Sequence, residues 1–298
     1  MGDVMSEPAK ISVGVAGWSY PDWEGFVYTG KIRDKLRFVA GYVDLVEINS
    51  TFYRPPEART VSSWVQRTSD LPDFYFTAKL HQEITHEGRI GDGMVRAFRE
   101  GFAPMAEAGR LKHLLAQFRY DFADTPDSRK HVESIRETFG SLAELVLELR
   151  HISWQQPASL DYLDELGVTV ANLDYPMAKN SFSLQECRVG MNGYLRLHGR
   201  NTAAWFDKKA GRDQTYNYLY SRSELEGIRD RAVSLAKNFR SLTIVANNHY
   251  EGKEVANALQ LKAMLLREKV KVPPGLLARY PALTEVAEPP PDGERMLF

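Results

Sequence analysis

Cysteine is nearly absent from this chain of 298 residues, in which Cys187 is the only one. A single cysteine excludes an intramolecular disulfide and a zinc site made of several cysteines. Long apolar runs are absent too, since none approaches the roughly 20 residues that span a bilayer. The first ten residues are polar and lack the apolar segment of a signal peptide. We therefore expect a cytoplasmic protein without a membrane span.

No charge of one sign dominates, because 38 Lys and Arg residues stand against 39 Asp and Glu residues and the net charge is −1. This balance gives no chain-wide basic surface for a nucleic acid or a membrane, although a local patch stays open. The phosphate-binding Walker loop and the G-x-G-x-x-G turn are also missing from the sequence. The chain therefore carries no motif for a nucleotide cofactor, whereas a divalent metal stays open.

The chain does contain a repeat of eight short apolar segments, each of which runs into polar residues at its C-terminal end. They cover residues 11–20, 45–52, 74–81, 114–118, 145–150, 168–174, 194–200 and 242–248. Most of them are separated by a segment with the pattern of a helix. Eight such βα units predict one parallel (β/α)8 TIM-type barrel, whose catalytic groups lie at the C-terminal ends of the strands.

The same pattern sets the expected domain organisation. We predict a flexible leader at 1–10, one barrel domain at 11–269 and a proline-rich tail at 270–298 that lies on the surface or is disordered. Between strands six and seven, residues 175–188 lack helical periodicity, so irregular structure is expected there. Long connections at 17–30 and 201–221 follow strands one and seven, and long loops at this end of a barrel often carry function.

Side-chain alternation along each strand predicts which residues point into the barrel. In strand two, Val46 and Ile48 suit the outer face, so Glu47 and Asn49 point inward. In strand five the leucines form the outer face and leave the polar residues inside. The same reasoning for all strands predicts an inward polar set: Glu47, Asn49, Lys79, Gln117, Glu148, Arg150, Asp174, Arg196, His198, Arg200 and one asparagine of the pair Asn247 and Asn248 that strand eight offers.

Buried charges in such number must pair, bind a ligand or line water, because an unpaired buried ion costs several kcal/mol. Glu47 and Glu148 suit a general acid/base pair, or they join Asp174 and His198 as ligands of a divalent metal. The cations argue against the metal and favour an anionic substrate, since arginine binds phosphate or carboxylate with two hydrogen bonds. These cations are Lys79, Arg150, Arg196 and Arg200. A structural network, for example Glu148 with Arg196, is the alternative.

Aromatic residues are concentrated after strands one, two, five and seven, at the same end of the predicted barrel. Trp18 and Tyr53 lie nearest the strand ends, so they are the candidates for stacking on a sugar ring or a base. The other aromatic residues are more typical of side chains that fill the barrel mouth and fix the long loops.

Six motifs follow one another in a fixed order. They are Gly17-Trp18-Ser19-Tyr20, residues 46–54, Ile84-Thr85-His86, Glu148-Leu149-Arg150-His151 with Trp154, residues 194–200, and Asn247-Asn248-His249. Together they resemble the YecE-like family, also called domain of unknown function 72, from about residue 11 to about residue 267. The resemblance implies a TIM-type barrel and supplies no reaction. The chain departs from the family at Arg119-Tyr120, where a proline pair is usual, and at 26–29, where the family tends to have Phe-Tyr-Pro.

Three functions fit these residues. The first is an enzyme acting on a small anionic, phosphorylated or sugar-like substrate in the barrel mouth, with hydrolysis, isomerisation and lyase chemistry all open. Glu47 and Glu148 are then acid/base groups or metal ligands, and His198 is a proton carrier or ligand. The cations hold the anion, the asparagines orient it, and Trp18 and Tyr53 contact it. The others are a non-catalytic barrel that binds a nucleotide or single-stranded nucleic acid, and a metal-dependent phosphodiester hydrolase.

Overall fold

A computed structural model gives the structure of the chain and describes residues 9–183 and 186–289. Within these ranges nine parallel strands form one sheet: β1 (Lys10–Val15), β2 (Leu45–Ile48), β3 (Tyr75–Lys79), β4 (Leu111–Gln117), β5 (Glu144–Glu148), β6 (Thr169–Val170), β7 (Asn172–Asp174), β8 (Gly193–Leu197) and β9 (Ser241–Ala246). Neighbouring strands pair in the order β6-β5-β4-β3-β2-β1-β9-β8-β7. The first and last strands in this order are therefore close neighbours in the chain.

The sheet closes into a barrel through a strand that is interrupted at Ala171. β6 precedes Ala171 and pairs with β5, whereas β7 follows it and pairs with β8. At the interruption, the Ala171 amide donates to the Leu147 carbonyl at 2.9 Å. The nine strands thus occupy eight positions around the barrel, and the sixth position is shared by two short strands. This confirms the predicted TIM-type barrel.

Helices surround the barrel and connect its strands. In the described residues the α-helices are α1 (Lys35–Ala40), α2 (Ala58–Arg67), α3 (Gln82–Thr85), α4 (Asp92–Glu107), α5 (Pro126–Phe139), α6 (Pro157–Glu165), α7 (Thr202–Phe206), α8 (Arg212–Thr215), α9 (Arg222–Ala236), α10 (Lys253–Leu266) and α11 (Pro274–Arg279). Short 3-10 helices cover Pro21–Trp23, Ser50–Phe52, Ile152–Gln155, Tyr250–Gly252 and Pro281–Glu285. Between β7 and β8, where irregular structure is predicted, the described residues contain no helix. In the part of the chain that the structure describes, no helix has the length and apolar character needed to cross a membrane.

Local sequence signals explain where several helices begin. α5 starts at Pro126, and the Thr125 hydroxyl accepts a hydrogen bond from the Ser128 amide at 3.2 Å. α9 begins with a capping box, in which the side chains of Ser221 and Glu224 each bond the backbone amide of the other. Such caps satisfy amide groups that have no partner within the helix. The connections from strand ends to helices therefore have fixed geometry.

Apolar side chains form two separate cores. The larger lies between the strands and the helices, and it includes Val46, Ile48 and the leucines of β5. The smaller fills the barrel with Ala16, Leu45, Tyr75, Leu115, Val146, Ala171, Leu173, Tyr175, Tyr194 and Val245. Because side chains alternate, polar residues two positions further along the strands also face inward, as Glu47 does after Leu45. The barrel interior is therefore apolar in its lower part and polar at the C-terminal ends of the strands.

Both predicted terminal segments pack in part against the barrel. Lys10, the last residue of the predicted leader, begins β1. In the predicted surface tail, α11 and the following 3-10 helix bury Leu276 and Leu283 in the outer core. The proline-rich segment thus packs on the outer core through Leu276 and Leu283, which bury apolar surface there. The Glu288 amide donates to the Val270 carbonyl at 2.9 Å. Residues 1–8 and 290–298, the rest of the leader and of the tail, lie outside the described residues.

A close helix contact allows a test of this packing. Gly101 of α4 lies against the loop before α2, where an added Cβ would collide with the carbonyl oxygen of Pro56 and come within 2.7 Å of its Cγ. Gly101→Ala is therefore expected to lower the free energy of unfolding by about 1–3 kcal/mol, measured by urea denaturation. Gly93→Ala in the same helix is the control, since an added Cβ there meets nothing within 4 Å. Helix propensity should make that variant more stable by up to about 1 kcal/mol, and equal effects of the two changes would contradict this packing.

Candidate functional site

Three charged side chains form the centre of the polar layer in the barrel: Glu47 on β2, Glu148 on β5 and Arg196 on β8, all fully buried. The Nε and Nη2 of Arg196 donate to the two oxygens of Glu47, at 3.1 and 2.6 Å. Its Nη1 donates to Glu148 Oε2 and, at 3.1 Å, to Gln117 Oε1. Each nitrogen of this guanidinium has a protein partner. Arg196 therefore bridges the two carboxylates, and the structure does not leave it free to bind an anion.

Glu148 has two more partners on its other oxygen. The Nε and Nη2 of Arg150 donate to Glu148 Oε1 at 2.9 and 2.6 Å. His198 Nε2 lies 3.4 Å from the same oxygen, and His198 Nδ1 lies 3.0 Å from the amide nitrogen of Asn247. Because an amide nitrogen donates, Nδ1 is the acceptor and the imidazole proton lies on Nε2, facing Glu148. Asn247 thus fixes the ring orientation and tautomer of His198.

These contacts set the charge states of the layer. Burial alone would raise the pKa of Glu148, but Arg196 and Arg150 outweigh it and hold this pKa well below its usual range. Burial lowers the pKa of His198 to about 4, so the imidazole is neutral near pH 7. Glu148 therefore carries no proton to donate near neutral pH. The predicted role of Glu148 as a general acid is not supported by this geometry, and the predicted alternative of an ion-pair network describes its contacts.

Lys79 differs from the other charges of this layer because its ammonium group has no partner. It ends β3 and is 9% exposed, and among the described residues its Nζ forms no hydrogen bond or ion pair. The Nζ lies 5.8 Å from the ring centroid of Phe52. Burial, and then the charge of Arg196, lower the pKa of Lys79 to about 8. A buried, unpaired amine that titrates near physiological pH is the kind of group found in active sites.

Asp174 and Arg200 lie outside this layer, and the structure corrects the prediction that they point into the barrel. The Asp174 carboxylate accepts hydrogen bonds from Arg200 at 2.7 and 2.9 Å and from the Tyr220 hydroxyl at 2.8 Å. Tyr220 belongs to the outer core, whereas Leu173 belongs to the core inside the barrel. The apolar residues of β7 thus take the inner face, and its polar residues take the outer one. After β8, Gly199 (φ +83°) ends the regular alternation before Arg200.

Asn248 also faces away from the barrel interior, which corrects its predicted role in orienting a ligand there. Its Nδ2 donates to the Tyr218 carbonyl at 2.8 Å and to Asn257 Oδ1 at 2.9 Å. This side chain therefore joins the end of β9 to α10 and to the loop before α9. The physical reason is the alternation itself, since Asn247 takes the inward position and its neighbour must take the other.

The remaining predicted residues lie around the rim of the barrel. Trp18 packs edge-on against Trp64 of α2, with ring centroids 5.2 Å apart. Tyr53 is 59% exposed. Asn49 donates from Nδ2 to the Ala16 carbonyl at 2.9 Å, and its buried Oδ1 has no partner among the described residues. Asn49 is therefore placed to accept a hydrogen bond in the mouth.

A group of aromatic side chains covers the polar layer, and its central member, His249, is absent from the predicted site. Tyr20 stacks on His249 with centroids 4.6 Å apart, and Tyr216 lies 5.3 Å away. Trp205 of α7 lies 5.7 Å from His198. Both ring nitrogens of His249 are buried and have no partner among the described residues. Its place in the motif Asn247-Asn248-His249 is the sequence signal that could have found it, because His249 lies past the end of β9 with helical backbone angles and strand alternation does not apply there.

The donor groups of the layer do not suit a divalent metal. In residues 9–183 and 186–289, no three His, Cys, Asp or Glu side chains come together in a way that could hold a metal ion. Glu148 and Glu47 already accept hydrogen bonds from guanidinium groups. A metal at this position would displace those groups and leave their charges buried. The arrangement therefore does not fit the predicted metal-ligand role of Glu47, Glu148 and His198.

Comparisons with known proteins agree with the motifs in the sequence. The family model described as "Protein of unknown function DUF72" matches residues 12–281. The UPF0759 protein YunF of Bacillus subtilis (strain 168) is 25% identical over an alignment of 272 positions, which covers 86% of this chain and 94% of that protein. These matches confirm the family resemblance.

Two crystal structures of similar proteins show the same fold. A DUF72 family protein from Thermotoga maritima MSB8 is 32% identical, with a TM-score of 0.75, and the match covers 86% of this chain and 99% of that one. A DUF72 family protein from Enterococcus faecalis V583 is 27% identical, with a TM-score of 0.76, and the match covers 86% and 95% of the two chains. Neither name specifies a reaction or a ligand.

Proposed function

Because the chain belongs to the DUF72 family, whose description assigns no reaction, we propose a function from the barrel mouth itself: the protein is an enzyme that acts on a small anionic, sugar-like substrate. Lys79 provides the positive charge and transfers a proton in this proposal. The ion-paired side chains beneath it hold the mouth in shape. Hydrolysis, isomerisation and lyase chemistry all remain compatible with these roles.

The unpaired ammonium group of Lys79 carries this proposal. Below it, Glu47 and Glu148 are matched by Arg196 and Arg150, so the charges of these four groups balance. Lys79 adds a positive charge with which no carboxylate of the described residues forms an ion pair. A buried charge without a counter-ion is unfavourable, and an anionic ligand would relieve this cost. The mouth therefore favours an anion over a neutral or cationic ligand.

Unsatisfied hydrogen-bonding groups support a hydroxylated substrate. Asn49 Oδ1 and the ring nitrogens of His249 are buried without partners among the described residues. Burial lowers the pKa of His249 to about 4, so near pH 7 the ring has one acceptor and one donor nitrogen. Hydroxyl groups can satisfy both kinds of group. The rings of Trp205 and Tyr216 lie 5.7 and 6.0 Å from that of His198, and in this proposal they shield a bound substrate from water.

A ligand screen tests this proposal. Purified protein is mixed with sugar phosphates, sugar acids and the corresponding uncharged sugars, and thermal unfolding and NMR spectra of the mixtures are recorded. At a concentration ten times its Kd, a ligand raises the free energy of unfolding by about 1.4 kcal/mol. We expect stabilisation and conversion with an anionic member of the panel, and loss of both in Lys79→Met.

Lys112→Met is the control, because Lys112 lies near the N-terminal end of β4, at the opposite end of the barrel. It should keep the wild-type response. Equal binding by wild type and Lys79→Met would contradict the proposal. Binding of a single-stranded oligonucleotide that weakens steeply with salt, without any product, would favour a non-catalytic binding barrel instead.

A further inference from the structure

The surroundings of Lys79 suit a nucleophilic amine. Lys79 ends β3 at the C-terminal face of the barrel, and its Nζ has no hydrogen bond or ion pair among the described residues and lies 5.8 Å from the ring centroid of Phe52. The neighbouring charges are already engaged, since Arg196 and Arg150 are both bonded to carboxylates. No carboxylate of the described residues contacts Lys79, so no ion pair stabilises its charged form against loss of the proton.

We propose that Lys79 forms a covalent imine with the carbonyl carbon of a small anionic aldehyde or ketone. This inference rests on the proposed function and narrows its substrate class to carbonyl compounds. The uncharged Nζ attacks the carbonyl carbon, and a C–N bond forms as the oxygen takes up a proton. Loss of that oxygen as water then gives the C=N bond, so that amine and carbonyl yield imine and water without an oxidant or reductant.

The reactive form of Lys79 is populated near neutral pH. With its pKa at about 8, roughly a quarter of Lys79 is uncharged at pH 7.5, against about one molecule in a thousand for an ordinary lysine. Burial is the larger cause, and Arg196 adds to it. Lys79 should therefore react with carbonyl compounds well before the surface lysines.

Two histidines near Lys79 can take part in the proton transfers of imine formation. His86 also contacts Phe52, edge-on, with ring centroids 4.9 Å apart. Its buried Nε2, like both nitrogens of His249, has no partner among the described residues. Burial lowers the pKa of both rings, and the positive charge of Lys79 contributes. Both imidazoles are thus uncharged near pH 7 and can accept a proton.

Reductive trapping tests the inference. The protein is incubated with dihydroxyacetone phosphate and sodium cyanoborohydride, and modified lysines are located by peptide mass spectrometry. Hydride addition to the imine carbon leaves a stable secondary amine, whose mass exceeds that of the lysine by the probe less one oxygen atom. We expect Lys79 to be modified at least about tenfold faster than any other lysine at pH 7.5. The rate should reach half its maximum near pH 8.

Three comparisons separate this inference from the proposed function. Glycerol 3-phosphate has no carbonyl group and therefore tests anion binding alone. If it stabilises the protein while dihydroxyacetone phosphate does not modify Lys79, the imine inference fails and the proposed anion site stands. The opposite result is rapid modification of Lys79 by uncharged dihydroxyacetone, with no stabilisation by either phosphate. It would support imine formation and contradict the proposal that the substrate is an anion. Lys79→Arg keeps the charge but cannot form an imine, so it should still be stabilised by glycerol 3-phosphate. Slow modification of Lys79 with no stabilisation would overturn both.

Discussion

Arg196→Met is expected to lower the free energy of unfolding by about 3–5 kcal/mol, because it leaves two buried carboxylates without their shared counter-ion. Glu47 would lose both hydrogen bonds from the guanidinium, and Glu148 would keep only Arg150 and His198. Methionine fills a similar space, so the loss of charge dominates over the change of volume. Urea denaturation followed by circular dichroism measures the effect.

The matched control is Arg222→Met, which breaks ion pairs of α9 at the surface. Arg222 contacts Glu226 and Glu285, and the three side chains are 66%, 44% and 58% exposed. Exposed pairs of this kind contribute about 0–1 kcal/mol. A cost of Arg196→Met as small as that of Arg222→Met would show that the contacts of Arg196 with the two carboxylates contribute little to stability.

The pH dependence of this variant follows from the direction of the Glu148 pKa. A carboxyl whose pKa is lower in the folded state stabilises the protein above its unfolded value of about 4.3, and this contribution is lost as the pH falls through the folded value. In wild type the loss therefore occurs in acid, below about pH 4. Removing Arg196 takes away the main charge that lowers the pKa of Glu148, so this pKa should lie closer to its unfolded value in the variant. The free energy of unfolding of Arg196→Met should therefore fall less than that of wild type below about pH 4.

The polar layer could be predicted from the sequence where apolar residues clearly mark the outer face of a strand. The leucines of β5 and the pair Val46 and Ile48 do so, and they correctly place Glu148 and Glu47 inside the barrel. β7 breaks this rule, because Leu173 packs inside and Asp174 finds Arg200 on the outer face. Alternation alone cannot distinguish the two arrangements, since it fixes which residues share a face and not which face is inner.

Only one ion pair, Glu148 with Arg196, is among the predictions from the sequence. The full pairing of the charges could not be predicted, because it depends on residues that are distant in the chain. Arg196 is 149 positions from Glu47 and 48 from Glu148. The sequence predicts that four cations and two glutamates point inward, but it does not predict the distances between them. In the folded barrel Arg196 and Arg150 form ion pairs with the glutamates, whereas Lys79 forms none with the described residues. This distribution moves the expected acid/base chemistry from the glutamates to the lysine.

Lys79→Met is expected to raise the free energy of unfolding at pH 7 by on the order of 3 kcal/mol. The pKa of Lys79 is lowered by burial, and then by Arg196, to about 8, against about 10.4 in the unfolded chain, and a tenfold change in proton affinity is worth about 1.4 kcal/mol. Below pH 8 the folded protein must bury the ammonium charge. Methionine removes that charge and fills the same apolar space beside Phe52.

The sign of the pH dependence distinguishes this cause from a simple gain in packing. Between about pH 8 and about pH 10.4 the unfolded lysine holds a proton that the folded one has released, so wild-type stability rises relative to the variant. The advantage of Lys79→Met should therefore be full below pH 8 and should disappear by about pH 10.5. Guanidinium denaturation of both proteins at a series of pH values measures the difference. A constant advantage at every pH would mean that the gain comes from packing alone.

Lys262→Met is the control for exchanging lysine and methionine elsewhere on the barrel. The Nζ of Lys262 lies 2.7 Å from Asp44 Oδ1, so this variant loses an ion pair and should be less stable than wild type. Opposite effects of the same substitution at two sites would identify Lys79 as a residue that the fold retains at a cost to stability. Such a cost is typical of residues kept for function. If Lys79→Met instead destabilises the protein as Lys262→Met does, the ammonium group has a stabilising partner and the case for an unpaired catalytic amine fails.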